Sequence, residues 1–151
     1  MTEQATVKLE RFMPYRLSVL SIAISRGISE LYSERFGISI MEWRVIAVLG
    51  NYQPLSSSDI CRHTSMDKVQ VSRAVAGLSR SGLVLRRTDS GDRRRSLLRL
   101  SARGQRVYRK IVPLALEWEQ KLMQALSPRE QALFDRLLQK LEQRVRQIQD
   151  T

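Results

Sequence analysis

Residues 67–87 read DKVQVSRAVAGLSRSGLVLRR, and residues 88–104 continue TDSGDRRRSLLRLSARG. Asp67 has the side chain of a helix N-cap, and Val71, Val75 and Leu78 then fall at i, i+4 and i+7. That spacing gives a helix with one apolar face. Gly82 ends it, because glycine reaches the left-handed conformation at little cost. Val84–Arg87 and Ser96–Leu100 are strand-like and enclose the turn-rich Thr88–Asp92, the pattern of a β-hairpin.

Upstream, Ser56-Ser57-Ser58-Asp59 predicts a helix start, with a Ser oxygen accepting an orphan N–H and Asp three residues on; this helix ends near His63. Thr64-Ser65-Met66 is a turn. Ile40–Leu49 is a further helix with Trp43, Ile46 and Ala47 inward, followed by a turn-like Asn51–Pro54. Residues 1–6 are polar and expected to fray. From Val7 to Phe36 one long helical pattern runs through Leu9, Phe12, Leu17, Leu20, Ile24, Ile28 and Leu31, stopped by Gly37. Downstream, Ser101 caps a long helix interrupted at Pro113, and Ser127-Pro128-Arg129-Glu130 starts a last helix carrying Phe134, Leu137, Leu141, Val145 and Ile148.

Two short helices joined by a tight turn form a helix-turn-helix candidate. With Val71, Val75 and Leu78 inward, Lys68, Gln70, Arg73, Ala76 and Arg80 face outward. Gln suits adenine, Arg suits guanine, and Lys suits guanine or phosphate. Small Ala76 and Gly77 would let the backbone approach closely. Exposed Lys, Gln and Arg cover most helices, so the helix alone does not specify DNA. The hairpin adds more: Arg86, Arg87, Arg93, Arg94, Arg95 and Arg99 place six arginines within fourteen residues. A narrow ribbon tipped with Arg suits a minor groove. Charge also protects an edge hairpin from aggregation, but six arginines exceed what that requires.

The charge of the whole chain agrees. Of a net +11, residues 67–110 hold 13 Lys or Arg against 3 Asp, or +10, while all other residues hold 13 basic and 12 acidic side chains, or +1. Excess positive charge concentrated in one segment draws a protein toward a polyanion. A membrane-surface helix is disfavoured, because its basic residues would share a helix with an apolar face and here most lie on a hairpin. One cysteine (Cys61) and one histidine (His63) exclude an intrachain disulfide and leave no zinc ligand set, and no cofactor is expected. Cys61 reads as a small apolar residue rather than an oxidant sensor, and His63 as a helix-end or phosphate contact. No glycine-rich phosphate loop or nucleophile–base pair suggests an enzyme. Without an apolar signal core or membrane span, a cytoplasmic protein is expected.

The string from Asp92-Arg93-Arg94 to Leu100-Ser101-Ala102-Arg103-Gly104 resembles the wing signature of the MarR family, D-x-R-x5-L-[TS]-x2-G. DKVQVSRAVAGLSRSGLVLRR is similar to that family's recognition helix and first wing strand, and LSSSDICRHTS (55–65) to its preceding helix and turn. Ser101 stands where Thr is commoner, and Cys61 where Ala is usual. The fold implied is mostly α with a small β-hairpin wing: a winged helix-turn-helix domain at 37–100, and a helical dimerisation region built from 1–36 and 101–151. Long amphipathic helices at both ends support that architecture independently, since their apolar faces need partners.

The resemblance further implies a homodimer on pseudo-palindromic double-stranded DNA, usually repressing, and often released by a small aromatic or lipophilic ligand. A ligand-independent constitutive or architectural DNA-binding protein is the alternative. The expected DNA contacts are Ser57, Asp67, Lys68, Gln70, Ser72, Arg73, Arg86, Arg87, Asp92, Arg93, Arg94 and Arg95. Arg94 resembles the family's minor-groove arginine, and Asp92 is expected to pair with a nearby Arg and shape the loop. An effector pocket would draw on Arg16, Trp43 and Arg44.

Overall fold

Capping chemistry starts the helices where the sequence places them. Ser56 and Asp59, Asp67 and Gln70, and Ser127 and Glu130 each form a reciprocal capping box, satisfying orphan donors at the first turn. The computed structural model describes residues 5–151, so part of the polar segment expected to fray, residues 1–4, lies outside the described residues. A single 3-10 turn, Leu9–Arg11, precedes α1 (Met13–Ser29), α2 (Ser33–Phe36), α3 (Ile40–Tyr52), α4 (Ser57–Thr64) and α5 (Lys68–Arg80). Strands β1 (Val84–Thr88) and β2 (Ser96–Leu100) follow, then α6 (Ala102–Met123) and α7 (Pro128–Gln149). No described helix is long and apolar enough to cross a membrane.

The chain packs as two units, one ending at Leu114 and one running Ala115–Thr151. In the first, α3, α4 and α5 pack on one another and on the hairpin. Their apolar faces converge on a core in which Val45, Ile46, Leu49, Ile60, Val71, Leu78 and Leu98 are fully buried. In the second unit, Gln131 donates from Nε2 to the carbonyls of Met123 (2.8 Å) and Leu126 (3.1 Å), closing the turn into α7.

Three expectations need correction. The long N-terminal helix is broken: Tyr32 leaves helical geometry (φ −130°, ψ −21°) and buries its ring in the core, 5.6 Å from the ring of Trp43. The apolar periodicity runs on through that break, which is why it reads as continuous. Helix α3 extends past Leu49 to Tyr52, and Asn51 bonds back to the carbonyl of Ala47 at 2.8 Å instead of opening a turn. Helix α6 runs unbroken through Pro113. Both Pro113 and Arg109, whose carbonyl loses its partner there, lie on the exposed side, so water can satisfy the orphan group.

The hairpin pairs antiparallel, with Val84 opposite Leu100, Arg86 opposite Leu98 and Thr88 opposite Ser96. Leu55 adds an isolated bridge outside the hairpin: its N–H donates to Leu98 O (3.0 Å) and its carbonyl accepts from Leu98 N (2.7 Å). The base of the hairpin is sealed by the start of α6. Ser101 N–H donates to Leu83 O (2.9 Å), its Oγ donates to Gly82 O (2.6 Å), and Arg103 donates to Ser81 O (2.8 Å). Gly104 lies so close that an added Cβ would stand 2.1 Å from the Leu83 carbonyl oxygen. Gly82, at φ +71°, has open space around it instead.

These two glycines make a paired prediction. Gly104→Ala should cost about 3 kcal/mol, since a backbone atom must move, whereas Gly82→Ala should cost only about 1 kcal/mol for the left-handed φ. Urea midpoints of the two variants decide it. Equal losses would mean that the close approach of α6 to Leu83 is not what Gly104 provides.

Candidate nucleic-acid interface

Helix α5 buries Val71, Ala74, Val75 and Leu78, so the ridge opposite the core consists of Val69, Ser72, Arg73 and Ala76, all exposed. Lys68 and Gln70 flank it near the helix start, also exposed. Asp67 is taken up by the cap: its Oδ1 accepts from Gln70 N–H (2.8 Å), and Gln70 Oε1 accepts from Asp67 N–H (3.1 Å). The Gln70 NH2 stays free to donate. Gly77 does not belong to the outward face. It is half-buried, and an added Cβ would meet the Glu42 carboxylate of α3 at 3.1 Å, so its smallness serves packing inside the domain. Val69 went unnoticed in the sequence because it sits among polar neighbours. It is 58% exposed, and an apolar side chain there can touch a thymine methyl.

In the preceding helix, Ser57 is the first residue of α4 and half-buried, and Ser56 is the cap. His63, at the far end, stacks on Tyr52 with ring centroids 4.4 Å apart. Cys61 is half-buried against the core. The capping carboxylate of Asp59 is the most heavily used acid of the domain. It accepts from Ser56 N–H (3.0 Å) and Ser56 Oγ–H (2.8 Å), contacts Arg62, and accepts from Arg95 at 2.7 Å. The Ser56 hydroxyl and N–H, opposed by burial and aided by Arg95, hold its carboxyl down at about 2.

This pair ties Arg95, whose side chain remains 47% exposed, to α4, whereas Arg93 and Arg94 beside it are exposed and make no ion pair among the described residues. Among the described residues Arg86, Arg87, Arg93, Arg94 and Arg99 make no ion pair, which leaves five wing guanidinium groups unpaired. Arg87 and Arg99 share a cleft of about 240 Å³ with Gln53 and Pro54.

Asp92 also differs from expectation. It makes no ion pair among the described residues; its Oδ1 accepts from the backbone N–H of Arg94 (2.9 Å), and its carbonyl accepts from Arg95 N–H (3.0 Å). A short carboxylate two residues back mimics a backbone turn, so Asp92 shapes the loop through Arg94's main chain and leaves the guanidinium of Arg94 free. Asp89 repeats the device with Gly91 N–H at 3.0 Å.

A basic helix ridge and an arginine-tipped hairpin on one small domain match a known family model: residues 36–95 match that of the MarR family. Over that stretch the chain is similar to the MarR family. It is 29% identical over 113 residues to the HTH-type transcriptional regulator BilQ of Clostridium symbiosum, covering 75% of this chain and 77% of that protein. The structure of a MarR/EmrR family transcriptional regulator from Acinetobacter sp. ADP1 superposes with a TM-score of 0.84 at 28% identity, covering 93% of this chain and 99% of that one. The PcaV regulator of Streptomyces coelicolor, solved with its natural ligand, gives a TM-score of 0.78 at 26% identity, covering 93% and 98%. The protein is a transcription regulator with a winged helix-turn-helix DNA-binding fold, and not an enzyme.

The Asp59 clasp yields a pH prediction. A carboxyl near 2 when folded and near 3.8 when unfolded contributes stability that is present above about pH 4 and lost as pH falls through about 2, worth about 2 kcal/mol. Chemical denaturation at steps from pH 5 to pH 2 should therefore show Asp59→Asn losing that much less than the native protein. Parallel curves would remove the clasp as a source of stability.

Proposed function

We propose that this regulator binds a pseudo-palindromic operator as a homodimer, with the α5 ridge in the major groove and the arginines of the wing in the flanking minor groove, and that it represses. The observation that carries the reading is the sorting of charge around Asp59 and Asp92. Both carboxylates accept hydrogen bonds from the protein's own groups, whereas Lys68, Arg73, Arg86, Arg87, Arg93 and Arg94 stand exposed without ion-pair partners among the described residues. Ser57 and Ser72 would add phosphate contacts, Ser57 through the helix start. Val69, Gln70 and Arg73 are the base readers.

Association of two copies is supported by apolar faces at both ends of the chain, which make up the dimerisation region at 1–36 and 101–151. Helix α1 leaves Leu17, Val19, Leu20 and Ile22 exposed by 41–49%. Helix α7 buries no residue at all, and Phe134, Leu137, Leu141, Val145 and Ile148 form one stripe along it. A twenty-two-residue helix with an uncovered apolar stripe needs a partner.

Release by a small aromatic acid completes the proposal. Its supports are the PcaV relative, which was solved with its natural ligand, and the basic and aromatic residues around α1 and α3. Arg44 bonds Ser25 of α1 at 3.2 Å, and the Trp43 ring lies 5.6 Å from that of Tyr32 and 6.5 Å from that of Tyr108. Arg16, exposed on α1, would close on the ligand. A ligand there must prefer the conformation with the wrong helix spacing.

Three measurements test this. Sedimentation at micromolar concentration should show a dimer, and Phe134→Asp with Leu141→Asp should yield a folded monomer with at least about tenfold weaker operator binding, as loss of half the contacts demands. Arg94→Ala should weaken operator binding strongly with fold intact, and Asp92→Ala should weaken it too, despite raising the net charge, because the loop loses its turn. Tighter binding by Asp92→Ala would refute a structured wing. Val69→Ala should relax preference at one thymine per half-site by about 1 kcal/mol.

A further inference from the structure

The first unit carries a second basic feature, away from the start of the recognition helix. A cavity of about 510 Å³ opens between α2, the end of α5 and the first turns of α6. Its wall holds Arg35, Arg103, Arg106 and Lys110, and its apolar lining is Phe36, Leu83 and Val107. No Asp or Glu lines it, and none of the four cations belongs to an ion pair among the described residues. Arg103 is held by the Ser81 carbonyl, and the Arg35 guanidinium lies 5.3 Å from the Phe36 ring centroid.

Four like charges facing one concavity repel, and the repulsion is relieved when an anion enters. The apolar residues between them provide burial for a compact hydrocarbon segment. We infer that this cavity binds a small organic dianion with an apolar body, of the aryl phosphate or aromatic dicarboxylate class, between Arg35, Arg106 and Lys110. A single carboxylate would leave most of the positive charge uncompensated. A duplex fits less well: Ser81 lies about 20 Å along the helix from Lys68 at 1.5 Å per residue, behind the residues that read bases, and a convex backbone does not fill a pocket. The site is separate from the Arg16–Trp43–Arg44 region.

Its position also couples it to α5. A dianion that recruits the Arg103 guanidinium competes with the Ser81 carbonyl and loosens the seal between α5 and α6. That consequence rests on the DNA-binding reading; the binding itself does not.

Calorimetry in the absence of DNA tests the site with phenyl phosphate and phthalate, against inorganic phosphate and phenol as single-feature controls. Both aromatic dianions should bind saturably, and at least about tenfold more tightly than phosphate or phenol. Arg106→Ala with Lys110→Ala should weaken them by about tenfold or more while leaving operator affinity within about twofold. If only phenyl phosphate or only phthalate binds, the site stands and its ligand class narrows to that one. Phosphate binding as well as phenyl phosphate would reduce the cavity to a diffuse basic surface and overturn the inference, as would no saturable binding or unchanged affinity in the double variant. A variant that loses operator affinity, with a shallower salt slope, would show that these cations hold DNA backbone instead.

Discussion

Three successive carbonyls at the end of the recognition helix, Ser81, Gly82 and Leu83, all accept hydrogen bonds from the residues that open α6. The rest of the DNA-binding architecture depends on this seal. The hairpin leaves the helix at Val84 and returns at Leu100, which face each other in register, so Ser101 clamps both of its ends at once. The absence of a side chain on Gly104 lets α6 come close enough to do so. Individually such bonds contribute about 1 kcal/mol. Together they fix an orientation: recognition helix, wing base and the first turn of α6 share one set of bonds, so a rotation of α6 carries the end of α5 with it.

A second tie joins the other side of the wing to the helix-turn-helix. Burying the Asp59 carboxylate would be costly alone, yet its oxygens are matched by Ser56 N–H and O–H and by two guanidinium groups. Between these two ties the hairpin is anchored at its base and along one edge, while its tip is shaped by Asp89 and Asp92 acting on the main chain. Acids are thus used to organise a segment of net +10 without neutralising its outward arginines.

Local signals made much of this legible. Ser56 with Asp59, Asp67, Ser127 with Glu130, and Gly82 are residues whose side chains, or lack of one, act within four positions of themselves; sequence spacing therefore reveals them. The motif residues Leu100, Ser101 and Gly104 could be recognised in the sequence, but their reason, the Leu83 carbonyl, could not. What failed depends on neighbours distant along the chain. Nothing separates Arg95 from Arg93 and Arg94 until Asp59, 36 residues earlier, is known to lie opposite. Gly77 looked outward because the carboxylate of Glu42 that it accommodates is on another helix. Tyr32 fits a helical period as well as its neighbours do, and the break there goes with a ring buried in a core built by residues distant along the chain.

The division of charge along the chain has a consequence for assembly. Residues 115–151 carry six basic and six acidic side chains, so this unit is neutral while residues 67–110 hold nearly the whole excess. Apolar stripes can associate through a neutral segment without bringing like charges into a desolvated interface, where they would be expensive. The basic segments of two associated copies, by contrast, repel each other across solvent, over a range of about 8–10 Å at physiological salt. A polyanion lying across both relieves that repulsion and neutralises each segment. In the proposed dimer, a nucleic acid lying across both basic segments would supply the counter-charge that the protein itself withholds.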